Sequence, residues 1–190
     1  MLFSLKGQQS GDVCIPAFTL TDGEIAVIRV PGGAKQQEAR EACLKAILPA
    51  TDSAVTTDAP FLYVDAPQQS LVGRLFNPVT VKDYIRKHAS VANSIAQTVY
   101  ETGDIYSNDK LSALTPTGRK LVALYTSLSW SNRIIVDLEG LDSQGARQVY
   151  NVVKQYAAIG GAAILLDYSD ELQKDATAFI RIEIKAMLTA

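Results

Sequence analysis

Two acids close the apolar run in RIIVDLEGLDSQGARQVYNVV (residues 133 to 153), and a lysine follows a glycine pair in IAVIRVPGGAKQQEAR (residues 25 to 40). An aspartate at the end of a buried strand can hold Mg²⁺, directly or through water, and a nearby glutamate can orient or deprotonate the attacking water. Asp137 closes the run and Glu139 stands two residues on, still close to the same edge. A strand, a glycine-rich turn and a helix bind phosphate, because N–H groups at the turn and helix start face the anion and the helix dipole adds to them. Gly32, Gly33 and Lys35 fall at such a turn. Together these residues describe attack of water on a phosphoryl group.

Each motif also has a plainer reading. Measured against G-x-x-x-x-G-K-[ST], Arg29 occupies the first glycine position, Ala34 the second and Gln36 the hydroxyl position. Only Lys35 fits. Gly32 and Gly33 can build a looser anion nest; the alternative is an ordinary strand-to-helix turn with an exposed lysine. For the acids, the alternative is that Asp137 caps a turn and Glu139 is solvated.

Composition narrows the remaining classes. With 190 residues, 47% of them hydrophobic and 20% charged, the chain can bury the core of a single domain, expected to span residues 1–190. A net charge of −2 supplies no general attraction for nucleic acid. Cys14, Cys43 and the single histidine, His88, share no zinc-ligand spacing, so both cysteines are expected as buried thiols. The lone histidine also removes most routes to a Ser-His or Cys-His nucleophile. The start MLFSLKGQQSGDV lacks a signal-peptide pattern, and no apolar run approaches the ~20 residues of a spanning helix. A cytoplasmic location is expected, peripheral to a membrane only through a partner.

The elements that would position these residues follow from periodicity. VCIPAFTL and EIAVIRV, separated by TDG, predict an antiparallel hairpin. QQEAREACLKAIL predicts a helix with Ala39, Cys43, Ala46 and Ile47 on one face. FLYVDAP reads as a short strand. NPVTVKDYIRKHASVANSIAQTVY predicts one or two helices, capped by Thr80 or Asn77 and broken near Ser90. Pro116 marks a helix start, RIIVDL and GGAAILLDY are buried strands, and Asp142 or Ser143 caps the helix between them. FIRIEI closes as an alternating strand with Phe179, Arg181 and Glu183 on one face. Apolar strands alternating with amphipathic helices imply an α/β fold: a mostly parallel sheet flanked by helices, with an N-terminal antiparallel hairpin and a small helical insertion at about residues 77 to 110.

In this order, the segments resemble the nucleotide-binding domain of ATP-binding cassette (ABC) proteins over roughly residues 17 to 172, which implies a P-loop-NTPase-like fold. FTLTDGEIAVI looks like the family's hairpin into its phosphate loop, YVDAPQQ like its Q-loop, and NPVTVKDYIRK like the start of its helical subdomain. LTPTGRKLVAL occupies the place of the LSGGQ signature, and residues 133 to 166 track the Walker B strand, D-loop, helix and next strand. The resemblance implies a metal- and water-contacting glutamine at Gln68 or Gln69, a signature-like surface at Thr115, Thr117 and Gly118, and a D-loop-like aspartate at Asp142.

The departures fall at the chemistry. The signature glycines are replaced by Pro116 and Thr117, and proline has no N–H to offer. Leu138 separates Asp137 from Glu139 where the family has them adjacent, and the switch histidine falls at Ser169. Phosphoryl transfer depends on positioning and electrostatics, and loss of one donor costs about 10²-fold. The expectation is a degenerate ABC-type domain with little or no ATP hydrolysis and no cofactor. It would act as a structural or regulatory subunit that docks a membrane or secretion component through residues 68 to 90, with a homo- or heterodimer possible. The alternative is a divergent active ATPase, with Lys35 on phosphate, Mg²⁺ on Asp137 and Glu139 acting on water.

Overall fold

The computed structural model describes residues 2–48, 55–67 and 78–185. Four three-residue strands come first: β1 (Phe3–Leu5), β2 (Gln8–Ser10), β3 (Val13–Ile15) and β4 (Phe18–Leu20). Next come β5 (Ile25–Arg29), α1 (Gln36–Ile47), β6 (Val55–Thr57) and β7 (Leu62–Val64). A helical stretch follows: α2 (Val81–His88), the 3₁₀ segments Ser94–Thr102 and Leu111–Ala113, and α3 (Pro116–Leu128). The chain then alternates β8 (Arg133–Asp137), α4 (Ser143–Ala157), β9 (Ala162–Asp167), β10 (Ala178–Arg181) and β11 (Glu183–Ile184).

Among the described residues these strands make a five-stranded parallel sheet, ordered β10-β5-β9-β8-β7, and two three-stranded antiparallel sheets, β4-β1-β6 and β11-β3-β2. The expected α/β architecture with a parallel sheet flanked by helices is present. Its hairpin lies earlier than the TDG spacing suggests. Residues 13–20 and 24–30 do not pair with each other; β3 pairs with β2, and β4 with β1. Every residue from Ile25 to Ile28 is buried, so β5 needs cover on both faces. A central parallel strand has that cover, and a half-solvated hairpin does not. FIRIEI also differs: its alternation holds, with Ile180 and Ile182 buried, but β10 runs parallel to β5 while β11 turns away to pair antiparallel with β3.

Side chains alternate across the parallel sheet, so it divides two apolar clusters. Ile25, Val27, Ile134, Val136, Ala163 and Leu165 face the cluster built with α3 and α4. Ala26, Ile28, Ile135, Ile164 and Leu166 face the cluster built with α1 and the N-terminal strands. In α1 the buried residues are Ala39, Cys43, Ala46 and Ile47, the face predicted from their spacing. Cys43 is buried and Cys14 half-buried.

Local chemistry sets the helix starts. Thr80 caps α2, Thr115 caps α3 with Pro116 in its first turn, and Asp142 caps α4. Asn77 lies outside the described residues. All five parallel strands deliver their carboxyl ends to one edge, where register aligns Arg181 with Arg29 and Arg29 with Asp167. Asp137 pairs with Leu166 on the same edge.

Candidate functional site

Asp137 is the last residue of β8 and only 1% exposed. Such a carboxylate needs partners, because an unpaired buried charge is costly. Arg40 of α1 supplies the main one: its Nε donates to Asp137 Oδ2 at 2.6 Å and lies 3.0 Å from Glu139 Oε2. Asp137 Oδ1 accepts from the Tyr168 hydroxyl (3.0 Å) and from the Glu139 N–H (2.9 Å). Both oxygens of Asp137, the Mg²⁺ ligand of the alternative reading, are therefore committed to protein donors.

The electrostatics follow from this packing. Burial alone would lower the Arg40 pKa, but the charge and hydrogen bond of Asp137 outweigh it and hold the guanidinium above its ordinary range. Burial and then Asp137 raise the Tyr168 pKa, so its hydroxyl keeps its proton and donates. Cys43, beneath the same cluster, is pushed up to about 12 by burial, with Asp137 adding to it, which keeps the thiol unreactive. Lys120 of α3 is 7% exposed; burial lowers its pKa, although Asp137 and Asp65 pull the other way.

Lys35 precedes α1 and caps it with no side-chain hydrogen bond. Its ammonium is ion-paired with Asp12, from the turn between β2 and β3, and lies 3.9 Å from Glu38. The hydrogen bond to Asp12 raises its pKa. Gly32 and Gly33 face open space, since a Cβ at either would meet no atom within 4 Å. The Gly33 carbonyl accepts the Gln36 N–H (3.1 Å), which turns one of the helix's free donors inward.

Between Asp137 and α4 the chain makes a tight turn, with the Leu141 N–H on the Leu138 carbonyl (3.2 Å) and Gly140 at φ 78°. That left-handed conformation suits glycine, and it places Glu139 at the turn with its side chain 42% exposed. Asp142 Oδ1 accepts the Gly145 N–H (2.7 Å) as the cap of α4. Thr115 Oγ1 accepts the Gly118 N–H (3.0 Å), and Thr117 packs on Gly145, where a Cβ would lie 2.1 Å from its Oγ1. Thr115, Thr117 and Gly118 thus serve helix capping and helix contact, and they line a cavity of about 590 Å³ in which neither Lys35 nor Asp137 takes part. Ser169 donates to the Asp167 carboxylate. Gln68 and Gln69 lie outside the described residues.

Sequence reading missed Arg40, Tyr168, Asp12 and Lys120. Arg40 had a readable signal. It stands next to Ala39 and three residues before Cys43, within the stripe that faces the sheet, so it required an acidic partner there. Asp12 and Tyr168 come from distant segments and carried no such mark.

No protein-family model and no curated protein matches the chain by sequence. Solved structures match it by fold. A nucleotide-free ATP-binding cassette from an ABC transporter aligns with a TM-score of 0.68 at 13% identity, covering 95% of this chain and 87% of that one. An inward-facing metal-chelate type ABC transporter gives 0.68 at 12%, covering 96% and 79%. An ABC transporter ATP-binding protein from Pyrococcus furiosus gives 0.66 at 14%, covering 94% and 96%. At such identities the likeness establishes the fold, which is that of an ATP-binding cassette.

Proposed function

With the ATP-binding-cassette fold as premise, we propose that this chain is a single cassette-type domain with little or no ATP hydrolysis, acting as a structural or regulatory subunit of a larger complex. One observation carries this: Lys35 and Asp137, on which phosphate and Mg²⁺ would depend, are both engaged by internal partners, Asp12 and Arg40. Mg²⁺-nucleotide would compete with both pairs for Lys35 and Asp137. The departures at Ala34, Gln36, Pro116 and Ser169 favour the same reading.

A protein partner is the expected counterpart, because the structural neighbours are ATP-binding parts of ABC transporters. The proposed docking surface is residues 68 to 90, of which 78 to 90 are described; beside them is a cleft of about 610 Å³ lined by Asp65, Pro67, Tyr84, Lys87 and His88. Among the described residues no helix is long and apolar enough to cross a membrane, and a cytoplasmic position peripheral to a membrane, held by a partner, fits this reading. A homo- or heterodimer is compatible with it.

The alternative, a divergent ATPase that uses Mg²⁺-ATP, draws on one feature: Asp137 and Glu139 do stand at the carboxyl edge of a parallel sheet, where such folds bind ligands. Titrating Mg²⁺-ATP while following thermal stability and phosphate release separates the two. Ligand at 100 times its Kd stabilises a fold by ~2.7 kcal/mol. The expected outcome is no phosphate release above background, in wild type and Glu139→Gln alike. Steady turnover that Glu139→Gln abolishes would make the domain an enzyme.

A further inference from the structure

We propose that the Arg40 guanidinium takes the place of a divalent metal ion on Asp137 and Glu139, so that this edge of the sheet is a metal-independent latch joining α1 to β8. The inference rests on the reading of the domain as one with little or no hydrolysis, and supplies a physical cause for it.

The two acids are the ones whose spacing suggested a metal and an attacking water. In the structure a single cation bridges them, 2.6 Å from Asp137 and 3.0 Å from Glu139. A guanidinium is permanently charged and carries five N–H donors in a planar fork, so it can replace a metal as a bridge between carboxylates. Its Nη2 reaches the Tyr63 hydroxyl at 3.5 Å, and Tyr168 with the Glu139 N–H fills the other Asp137 oxygen.

A Mg²⁺ ion does not fit this set. It demands octahedral oxygen ligands at roughly 2.0–2.1 Å, and both Asp137 oxygens already accept from protein donors, Oδ2 from Arg40 and Oδ1 from Tyr168 and the Glu139 N–H. An incoming ion would have to displace a cation already in contact with both acids. The latch is attached to the chain, so it is present whatever the ion concentration. It also ties α1 at Arg40 to the end of β8 without a ligand.

Mn²⁺ is a suitable probe, because electron paramagnetic resonance counts the free ion with no nucleotide present. Wild type, R40K, R40M and R40M/D137N are titrated at neutral pH. The expected result is no Asp137-dependent Mn²⁺ binding by wild type or R40K, a gain on the order of tenfold or more in affinity in R40M, and its loss in R40M/D137N. Wild-type binding that D137N removes overturns the proposal, as does a folded R40M that binds Mn²⁺ no better than wild type. If R40M does not fold, the Arg40 Nε–H resonance of the wild type, assigned by its absence from R40K, decides. A slowly exchanging signal unmoved by Mg²⁺ supports the latch; a signal that is absent, or displaced by Mg²⁺, overturns it. ATP turnover by a protein whose latch passes these tests would remove the functional reading and leave this one in place.

Discussion

Asp167 ends β9 at 3% exposure, and burial raises its carboxyl pKa even though the Tyr168 and Ser169 N–H groups and the Ser169 hydroxyl donate to it. An acid whose folded value lies above its unfolded one contributes stability that is complete below the ordinary carboxylate range and is lost as pH rises through the folded value. Asp167→Asn keeps an acceptor and removes the charge. Its stability relative to wild type is therefore expected to improve between about pH 4 and about pH 7. Denaturant unfolding at both values checks this, and a constant difference would show that burial of the charge is fully compensated. At this scale the sequence marked Asp137 and Glu139 by their spacing, but it did not mark the guanidinium between them.

Helices and strands were the most legible features, because their signals lie within one segment. The stripe of α1, Pro116 at the start of α3 and Asp142 before α4 all stand where local chemistry places them. The contact between α3 and α4 was not legible. Alanine for glycine inside a helix ordinarily stabilises by roughly 0.5–1 kcal/mol. In α4, however, a Cβ at Gly145 would lie 2.1 Å from Thr117 Oγ1 and 3.2 Å from Thr117 Cβ. Gly145→Ala is expected to destabilise by about 1–3 kcal/mol, read as a lower Tm, with partial recovery in Gly145→Ala/Thr117→Ala. A Gly161→Ala change should have no such remedy, because its Cβ would lie 2.6 Å from the backbone carbonyl oxygens of Asn132 and Tyr156. An unchanged Tm for Gly145→Ala would show that the α3–α4 contact accommodates a side chain there at no net cost.

Over the whole molecule, one parallel sheet supplies alternate residues to both apolar clusters, and β11 ties the end of the sheet run back to β3. Losing either layer would bare one face of every central strand. Calorimetry is expected to show one cooperative transition whose calorimetric and van 't Hoff enthalpies agree. Two resolved transitions would instead make the antiparallel strands and α1 an independent unit. The parallel sheet was legible as a class from apolar strands alternating with helices, but the membership of β5 and β10 in it was not. Pairing is decided by which faces need cover, and that depends on segments far along the chain.

The sequence by itself determined where helices begin, which of their faces are apolar, that β8 and β9 are covered on both sides, and that two acids stand at the end of β8. Those properties depend on side chains a few residues apart. The tertiary structure alone decided what the site is. Arg40 meets Asp137 across 97 residues of sequence, and Lys35 meets Asp12 across 23. Coulomb energy depends on distance in space and on burial, so a lysine and an aspartate that look like a phosphate and metal pair in the chain become two internal ion pairs once the sheet brings their true partners alongside.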